Sequence, residues 1–472
     1  MSAETHKTPL QLQLEELVRV GVGGKYKDKK DYIEVIQREL DHEEAMLRGG
    51  ADRYIKTVND AKAKQQESTT LYGLVLQQKY ITEVSNKIND DIKTIDCNGL
   101  VLTHGFCDLH VHFRDPGNGD KETLESGSKS ALAGGFTRVC TMPNTVPTID
   151  TPELINYTID QAEKLPVNIH PIGAITKGQA GSELSEMGLM FEAGAVAFSD
   201  DGLPIQNGLV MRKALEYSKM FGVPIINHAE DECLRADGLM NEGKVSTRLG
   251  LPGNPNIAES IMVFRDLKLA ELTGAKLHVP HVSTADSVKH IYEMKNSFEK
   301  VTAEVTPHHL FFSDESLQYY NTDLKVAPPI RDDISRKALI KAIKDGTIDC
   351  IATDHAPHTS HEKETTFDLA SCGLIGLESC FGAVKKVLVD DEGLKLMDLL
   401  KTLTVSPRKI MGFDSDLIKV GKEAELVLFD EKEKWVFNKA NILSKSKNSP
   451  FVNHGLSGKI KMTISKGYLA TI

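Results

Sequence analysis

The chain has 472 residues, 40% of them hydrophobic, with a net charge of −11 and seven cysteines. That is enough apolar material for a sizeable core, and the negative balance argues against a basic nucleic-acid-binding surface while leaving room for an anionic substrate held by local cations. The cysteines form no CxxC pair and read as reduced thiols of a cytoplasmic protein; "MSAETHKTPLQLQ" lacks the apolar core of a signal peptide, and no run approaches the ~18 apolar residues of a membrane span.

Residues 1–70 are polar and charged, with short helical periodicities. Leu10, Leu14 and Leu17 share one helical face, as do Ile33, Ile36 and Leu40, which predicts a partly helical N-terminal extension. "GVGGKYKDKK" lacks the GK[ST] ending and the GxGxxG spacing of phosphate loops and reads as a turn. Residues 70–88 are strand-like. From 105 to 410 one rhythm repeats: a short apolar run ends in polar residues, and a helical stretch follows. The runs are "GFCDLHVHF", "FTRVCTMPN", "VNIHPIGAI", "GAVAFSDD", "VPIINHAED", "AKLHVPHVS", "VTAEVTPHH" and "IDCIATDHA". Eight strands alternating with helices predict a (β/α)8 barrel, whose active site lies at the C-terminal ends of the strands. After 410, residues 423–443 and 458–472 are again strand-like. Segments 71–104 and 411–472 are therefore expected to meet as one small β-domain flanking the barrel.

The polar residues at the run ends carry the chemistry. Residues i and i+2 of a strand face the same side, so His110 and His112 project together as half of a zinc site. His228, His281 and Asp354 end other strands of the same barrel. "FSDDG" offers Asp200 or Asp201 as an anion shared by two metals; successive residues face opposite ways, so only one can reach, and the pattern alone leaves both open. Such a set suggests a two-metal hydrolytic centre, in which a water shared by two cations loses its proton near neutral pH. Asp354 is placed for general acid/base work beside it. Arg114 presents a fork that matches a carboxylate, and Asn144 and His358 lie within the same mouth.

In this order, "DLHVHFRDPG", "MPNT", "FSDDG", "HAED", "HVSTADSV", "TPHHL" and "ATDHAPH" resemble the motif set of class I dihydroorotases of the amidohydrolase superfamily, and "SKSKNSPF" and "GKIKMTI" extend the match through the tail. The resemblance implies the reversible cyclisation of N-carbamoyl-L-aspartate to L-dihydroorotate in pyrimidine synthesis, with one or two zinc ions. His110 and His112 match the ligands of the first strand, Asp201 the bridging carboxylate, and His228 and His281 the ligands of the second metal. Asp354 matches the catalytic carboxylate, which also touches the first metal. Arg114, Asn144 and His358 match the groups that grip the substrate. Cys372 and Gly373 fall in a loop where the family contact is made by backbone. The resemblance also implies a homo-oligomer, a dimer first of all, and a possible association with aspartate carbamoyltransferase.

Three departures stand out. "KVAPPIR" places Ala327 where the family commonly has a substrate-contacting asparagine, which leans slightly toward related cyclic-amide hydrolases. His104–Gly105 replaces a usual Pro–Gly, and the N-terminal extension replaces early strands. Two other readings compete. A hydantoinase or allantoinase would bridge its metals with a carboxylated lysine, which "FSDDG" does not supply. A dead homologue serving as a scaffold for aspartate carbamoyltransferase would have lost ligands. His278, His308, His309 and His355 read as packing or supporting histidines, and His6, His42, His170, His290 and His454 as ordinary surface or loop residues.

Overall fold

The computed structural model describes residues 95–472 apart from 417, 420 and 421. The extension expected over 1–70, including His6 and His42, and the strand expected over 70–88 lie outside the described residues.

Strand β1 (Val101–His104) precedes the first barrel strand, β2 (Phe106–Val111). The ring continues with β3 (Phe136–Thr141), β4 (Asn168–Pro171), β5 (Phe198–Ser199) and β6 (Ile225–Ile226). A long connection holding a two-stranded pair, β7 (Met240–Asn241) and β8 (Gly253–Asn254), intervenes before β9 (Leu277–Val279), β10 (Val301–Val305) and β11 (Cys350–Ile351). All pairings around the ring are parallel, in the orders β2–β3–β4 and β5–β6–β9–β10–β11. Single bridges Gly173–Phe198 and Val111–His355 join the two runs, and His112 N–H donates to His355 O at 2.8 Å across the second seam. The eight strands expected from the sequence thus close into a (β/α)8 barrel.

The strands read as apolar because they are buried on both faces. Cys107, Leu109, Cys140, Ile172, Ile226 and Cys350, drawn from around the ring, form one buried cluster inside it. All seven cysteines are free, and burial pushes the Cys107 thiol up to about 12, so it packs as a small apolar group. Outside the ring lie helices such as Leu124–Ala133, Gly208–Ser218, Asn256–Thr273 and Asp333–Asp345. Local sequence sets their ends: Thr123, Asn207 and Asp332 accept backbone N–H groups as N-caps, and Gly274 and Gly346 take the left-handed turn that stops a helix.

The C-terminal segment supplies β12 (Leu426–Val436), β13 (Gly455–Ser465) and β14 (Tyr468–Thr471), which pair antiparallel with β1 in the order β1–β12–β13–β14. This sheet shares its core with the barrel: Phe429 of β12 meets Phe381 at 4.5 Å between centroids, and Phe381 meets Phe106 of β2 at 5.4 Å. A buried ion cluster reinforces the join. Glu425 accepts from Arg138 at 2.6 Å and from the fully buried Arg408 at 2.8 Å, and Arg408 also donates to Gly105 O at 2.7 Å. A Cβ at Gly105 would run into Thr137, so this glycine is required by packing.

His170 corrects the sequence reading. It is no ordinary surface or loop residue but part of β4, packed against Phe413 at 4.3 Å between ring centroids and 3.0 Å from Arg138 Nη1. Burial and the Arg138 cation push its pKa down to about 3, so it accepts the guanidinium proton as a neutral ring. His454 is exposed in a loop, as expected.

Candidate metal centre and substrate cradle

His110, His112, Asp201, His228, His281 and Asp354 converge at the C-terminal ends of five barrel strands, and all six are buried. Asp201 lies at their middle with each oxygen turned to a different pair. Oδ2 lies 3.3 Å from His110 Nε2 and 3.4 Å from His112 Nε2; Oδ1 lies 3.2 Å from His281 Nε2 and 3.6 Å from His228 Nδ1. Asp354 Oδ1 sits 3.1 Å from His112 Nε2 and 3.6 Å from His110 Nε2.

This spacing suits divalent cations. Ligand atoms held about 2.0–2.1 Å from a tetrahedral metal lie about 3.3–3.4 Å apart, and the observed separations bracket that edge. His110 Nε2 is fully buried with no hydrogen-bond partner, an expense that a metal bond would remove. His228 Nδ1 and His281 Nε2 face each other at 3.1 Å, as two ligands of one ion would. His110, Asp201 and His281 form one group able to hold an ion, and His110, His112 and Asp354 another. The backbone is bent to present them: φ is +32° at His281, +47° at Asp354 and +61° at Arg114, a region costing side-chain-bearing residues about 1–3 kcal/mol each.

The electrostatics follow from burial and crowding. Burial alone would raise Asp201, but His110, His228 and His281 hold it well below the usual carboxylate range. Burial would lower His228, yet Asp201 and Glu230 raise it to about 10, and Asp201 and Glu304 likewise raise His110. Without a cation, these carboxylates keep protons on the very nitrogens that would ligate one.

A supporting layer fixes the rings. Glu304, buried in β10, meets His110 Nδ1 at 2.8 Å and His278 Nε2 at 3.0 Å, and so turns His110 Nε2 toward Asp201. Those contacts outweigh its burial and bring it down to about 2. Asn144 Oδ1 sits 2.8 Å from His112 Nδ1 and does the same for that ring. Asp108 accepts from the N–H groups of His110 (3.0 Å) and Thr353 (3.1 Å), tying the end of β2 to the residue before Asp354. Asp200 turns away to accept from the N–H groups of Ile175 (2.8 Å) and Thr176 (3.0 Å), which leaves Asp201 as the inward aspartate. His278 and His309 are held by hydrogen bonds, and His355 Nε2 lies 3.5 Å from Glu122, so these behave as supporting residues; His308 is fully buried with neither nitrogen bonded. The sequence reading missed Glu304, Glu230 and Asp108 in these roles. For Glu304 and Asp108 a signal existed: each is a lone charge inside an apolar strand.

Beside the cluster, Arg114 Nε donates to Pro357 O at 3.4 Å, and its Nη2 approaches His358 Nε2 at 3.4 Å. His358 Nε2 lies 2.9 Å from Cys372 O and must be the donor there. The approach of Arg114 is therefore a contact rather than a bond, and its terminal N–H groups remain available to an anion. Burial and the Arg114 cation push His358 down to about 3, so the ring is neutral. The Cys372 thiol is exposed while its carbonyl is engaged, and Gly373 N–H donates to Lys325 O at 2.9 Å. Ala327 is half-buried between buried Val326 and Pro328 and offers no polar side-chain atom.

A family model described as "Dihydro-orotase-like" matches residues 99–287. Among solved structures, the L-hydantoinase of Arthrobacter aurescens superposes with a TM-score of 0.72 at 25% identity, covering 81% of this chain and 89% of that one. A dihydropyrimidinase from Brevibacillus agri gives 0.69 at 21%, covering 81% and 87%. Fold and site together define an amidohydrolase-type barrel enzyme. Closer similarity comes from curated sequences. A dihydroorotase of Syntrophus aciditrophicus is 42% identical over 82% of this chain and 91% of its own length. One of Endomicrobium trichonymphae is 45% identical over 81% and 92%, and one of Carboxydothermus hydrogenoformans 43% over 88% and 95%. The chain belongs to the dihydroorotase family.

Proposed function

We propose that this chain catalyses the reversible cyclisation of N-carbamoyl-L-aspartate to L-dihydroorotate, a step of pyrimidine synthesis, using one or two Zn2+ ions held by His110, His112, Asp201, His228, His281 and Asp354. The observation that carries this reading is Asp201, whose two oxygens each face a separate histidine pair. Imidazole and carboxylate ligands at this spacing suit a divalent first-row metal, and the choice of zinc among them rests on the resemblance to dihydroorotases. Bound there, the cations would supply a water that ionises near neutral pH and would polarise the reacting carbonyl.

The chain's own residues do the rest. Asp354, held ionised below the usual range against burial by His112 and His110, takes up the water proton in hydrolysis and returns it to the departing ring nitrogen. In cyclisation it removes that proton from the ureido nitrogen. Arg114 pairs through its free N–H groups with the substrate's carboxylate. The Asn144 amide, its oxygen committed to His112, offers N–H groups to the same anion, and neutral His358 holds the opposite wall. Cys372 and Gly373 contribute backbone. Ring closure removes one ionised carboxylate and consumes a proton, so acid favours dihydroorotate.

In this reading 105–410 is the catalytic barrel, 71–104 with 411–472 a composite β-domain, and 1–70 an extension. A homodimer is supported by the exposed apolar stripe Ile257, Ile261, Phe264 and Leu272 along helix Asn256–Thr273, and light scattering tests it. Among the described residues no helix is long and apolar enough to cross a membrane. A cytoplasmic location and association with aspartate carbamoyltransferase rest on the resemblance and are tested by fractionation and co-purification. The decisive experiment pairs metal analysis with assays on dihydroorotate, hydantoin and allantoin. Metal-replete protein that turns over hydantoin or allantoin but not dihydroorotate rejects the proposal, and protein that binds no metal favours a scaffold.

A further inference from the structure

The geometry points to Asn448, in the C-terminal segment outside the barrel, as a positioning residue that sets His358 and Gly373 in the substrate's carboxylate cradle; the cradle's role rests on the function proposed above.

After β11 the chain runs outward through Asp354–His358, makes the short helix Ser360–Lys363, and returns through Cys372–Ile375. The two limbs touch directly, with Ala356 N–H donating to Leu374 O at 2.8 Å. A Cβ at Gly373 would collide with Ala356 and crowd the His358 ring, so the limbs are pressed together where His358 stands. Asn448 bonds both limbs. Its Oδ1 accepts from His358 N–H at 3.2 Å, and its Nδ2 donates to Ala356 O (3.4 Å) on the outward limb and Gly373 O (3.2 Å) on the return. Its own carbonyl accepts from Ile375 N–H at 3.0 Å. Only asparagine's combination of one acceptor and two donors on a short stem satisfies these three side-chain contacts, and they also fix the orientation of the amide. Asn448 is 5% exposed, and none of its polar contacts reaches the metal cluster or Arg114.

The segment carrying Asn448 is anchored on its far side to the loop after β2. Ser444 Oγ and Lys445 N–H donate to the buried Glu122 carboxylate, and Ser446 Oγ donates to Lys121 O at 2.7 Å. It thereby spans the loops that carry the two halves of the cradle, Arg114 on one and His358 on the other. Removing the amide takes away three of the bonds at this point. Ala356 N–H to Leu374 O, His358 Nε2–H to Cys372 O and Lys363 Nζ to Gly373 O (2.9 Å) keep the loop together, while the His358 backbone N–H loses its partner and the ring follows its loosened backbone. A displaced His358 ring weakens its hold on the substrate, and the loss of one hydrogen bond to a charged group costs about tenfold in binding.

The test uses the full chain with Asn448→Ala and Asn448→Asp. The second keeps the side-chain volume and the acceptor for His358 N–H but turns an oxygen on two carbonyls. Ser446→Ala, which loosens the same segment away from the clamp, is the control. Expected for both Asn448 variants is a rise in KM for dihydroorotate and in the inhibition constant of orotate by the same factor, about tenfold. The turnover number and metal content should change little, and Ser446→Ala should match the parent. Hydrogen exchange of residues 355–376 should speed up in both Asn448 variants and not in the control. Unchanged exchange, a parallel loss of turnover and melting temperature with KM intact, or an equal effect from Ser446→Ala overturns the assignment. If the parent chain turns over no dihydroorotate, the function proposed above fails while the exchange measurement still decides whether Asn448 clamps the loop.

Discussion

In the histidine–aspartate cluster every side chain is delivered at the end of a barrel strand, and its neighbours two positions back are locked in the sheet. In the cradle around Arg114 and His358 the groups sit on loops held by contacts such as Asn448 to His358, 90 residues apart in the chain. The first arrangement is preorganised by the barrel itself; strained backbone marks both regions, at His281 and Asp354 in the cluster and at Arg114 in the cradle. The second is assembled by tertiary hydrogen bonds, which can be loosened one at a time. Changes in the cluster should therefore abolish function, and changes in the cradle should grade it.

The largest effect is expected from Asp201→Ala, which removes the carboxylate facing both histidine pairs. Metal content should fall, measured by elemental analysis, and turnover should drop by about a thousandfold or more. Asp354→Asn should cost about 10²–10⁴-fold in turnover while metal binding largely survives on the remaining ligands; a near-normal rate would remove Asp354 from the acid/base role. Glu304→Gln keeps a hydrogen-bonding side chain beside His110 but lowers the basicity of that ring. Chelator competition should show metal affinity weakened about 10–100-fold. Arg114→Lys should act on the cradle alone, raising KM about tenfold with metal content unchanged, because an ammonium cannot reproduce the two-pronged contact.

Acid should separate the two regions without a mutation. The carboxylates of Asp201, Glu304 and Glu230 raise His110 and His228, so protons compete with metal there, and affinity should fall from about pH 8 to about pH 5 as proton competition grows. His358, held near 3, keeps its neutral ring over that range. Metal titrations at several pH values check this; an affinity independent of pH would contradict the assignment of His110 and His228 as ligands.

How much of this was legible varied residue by residue. His110 and His112 could be read because a strand's two-residue period puts them on one side, and the eight apolar runs could be read because parallel strands are buried on both faces. Asp200 and Asp201 could not be separated by pattern; the structure separates them, since Asp200 is spent on the amides of Ile175 and Thr176. His170 was misjudged because its partners come from other elements, Arg138 from the neighbouring strand and Phe413 from beyond the last barrel strand. Asn448 carried no signal beyond its place in the tail motif.

The sequence by itself determined the barrel, its strand ends and the chemical inventory placed there, because local periodicity governs which side chains share a face. Tertiary structure alone decided which aspartate faces inward, which ring nitrogen each histidine presents and what braces the cradle. Those choices depend on hydrogen bonds between residues tens to hundreds of positions apart, and no local pattern encodes such pairings.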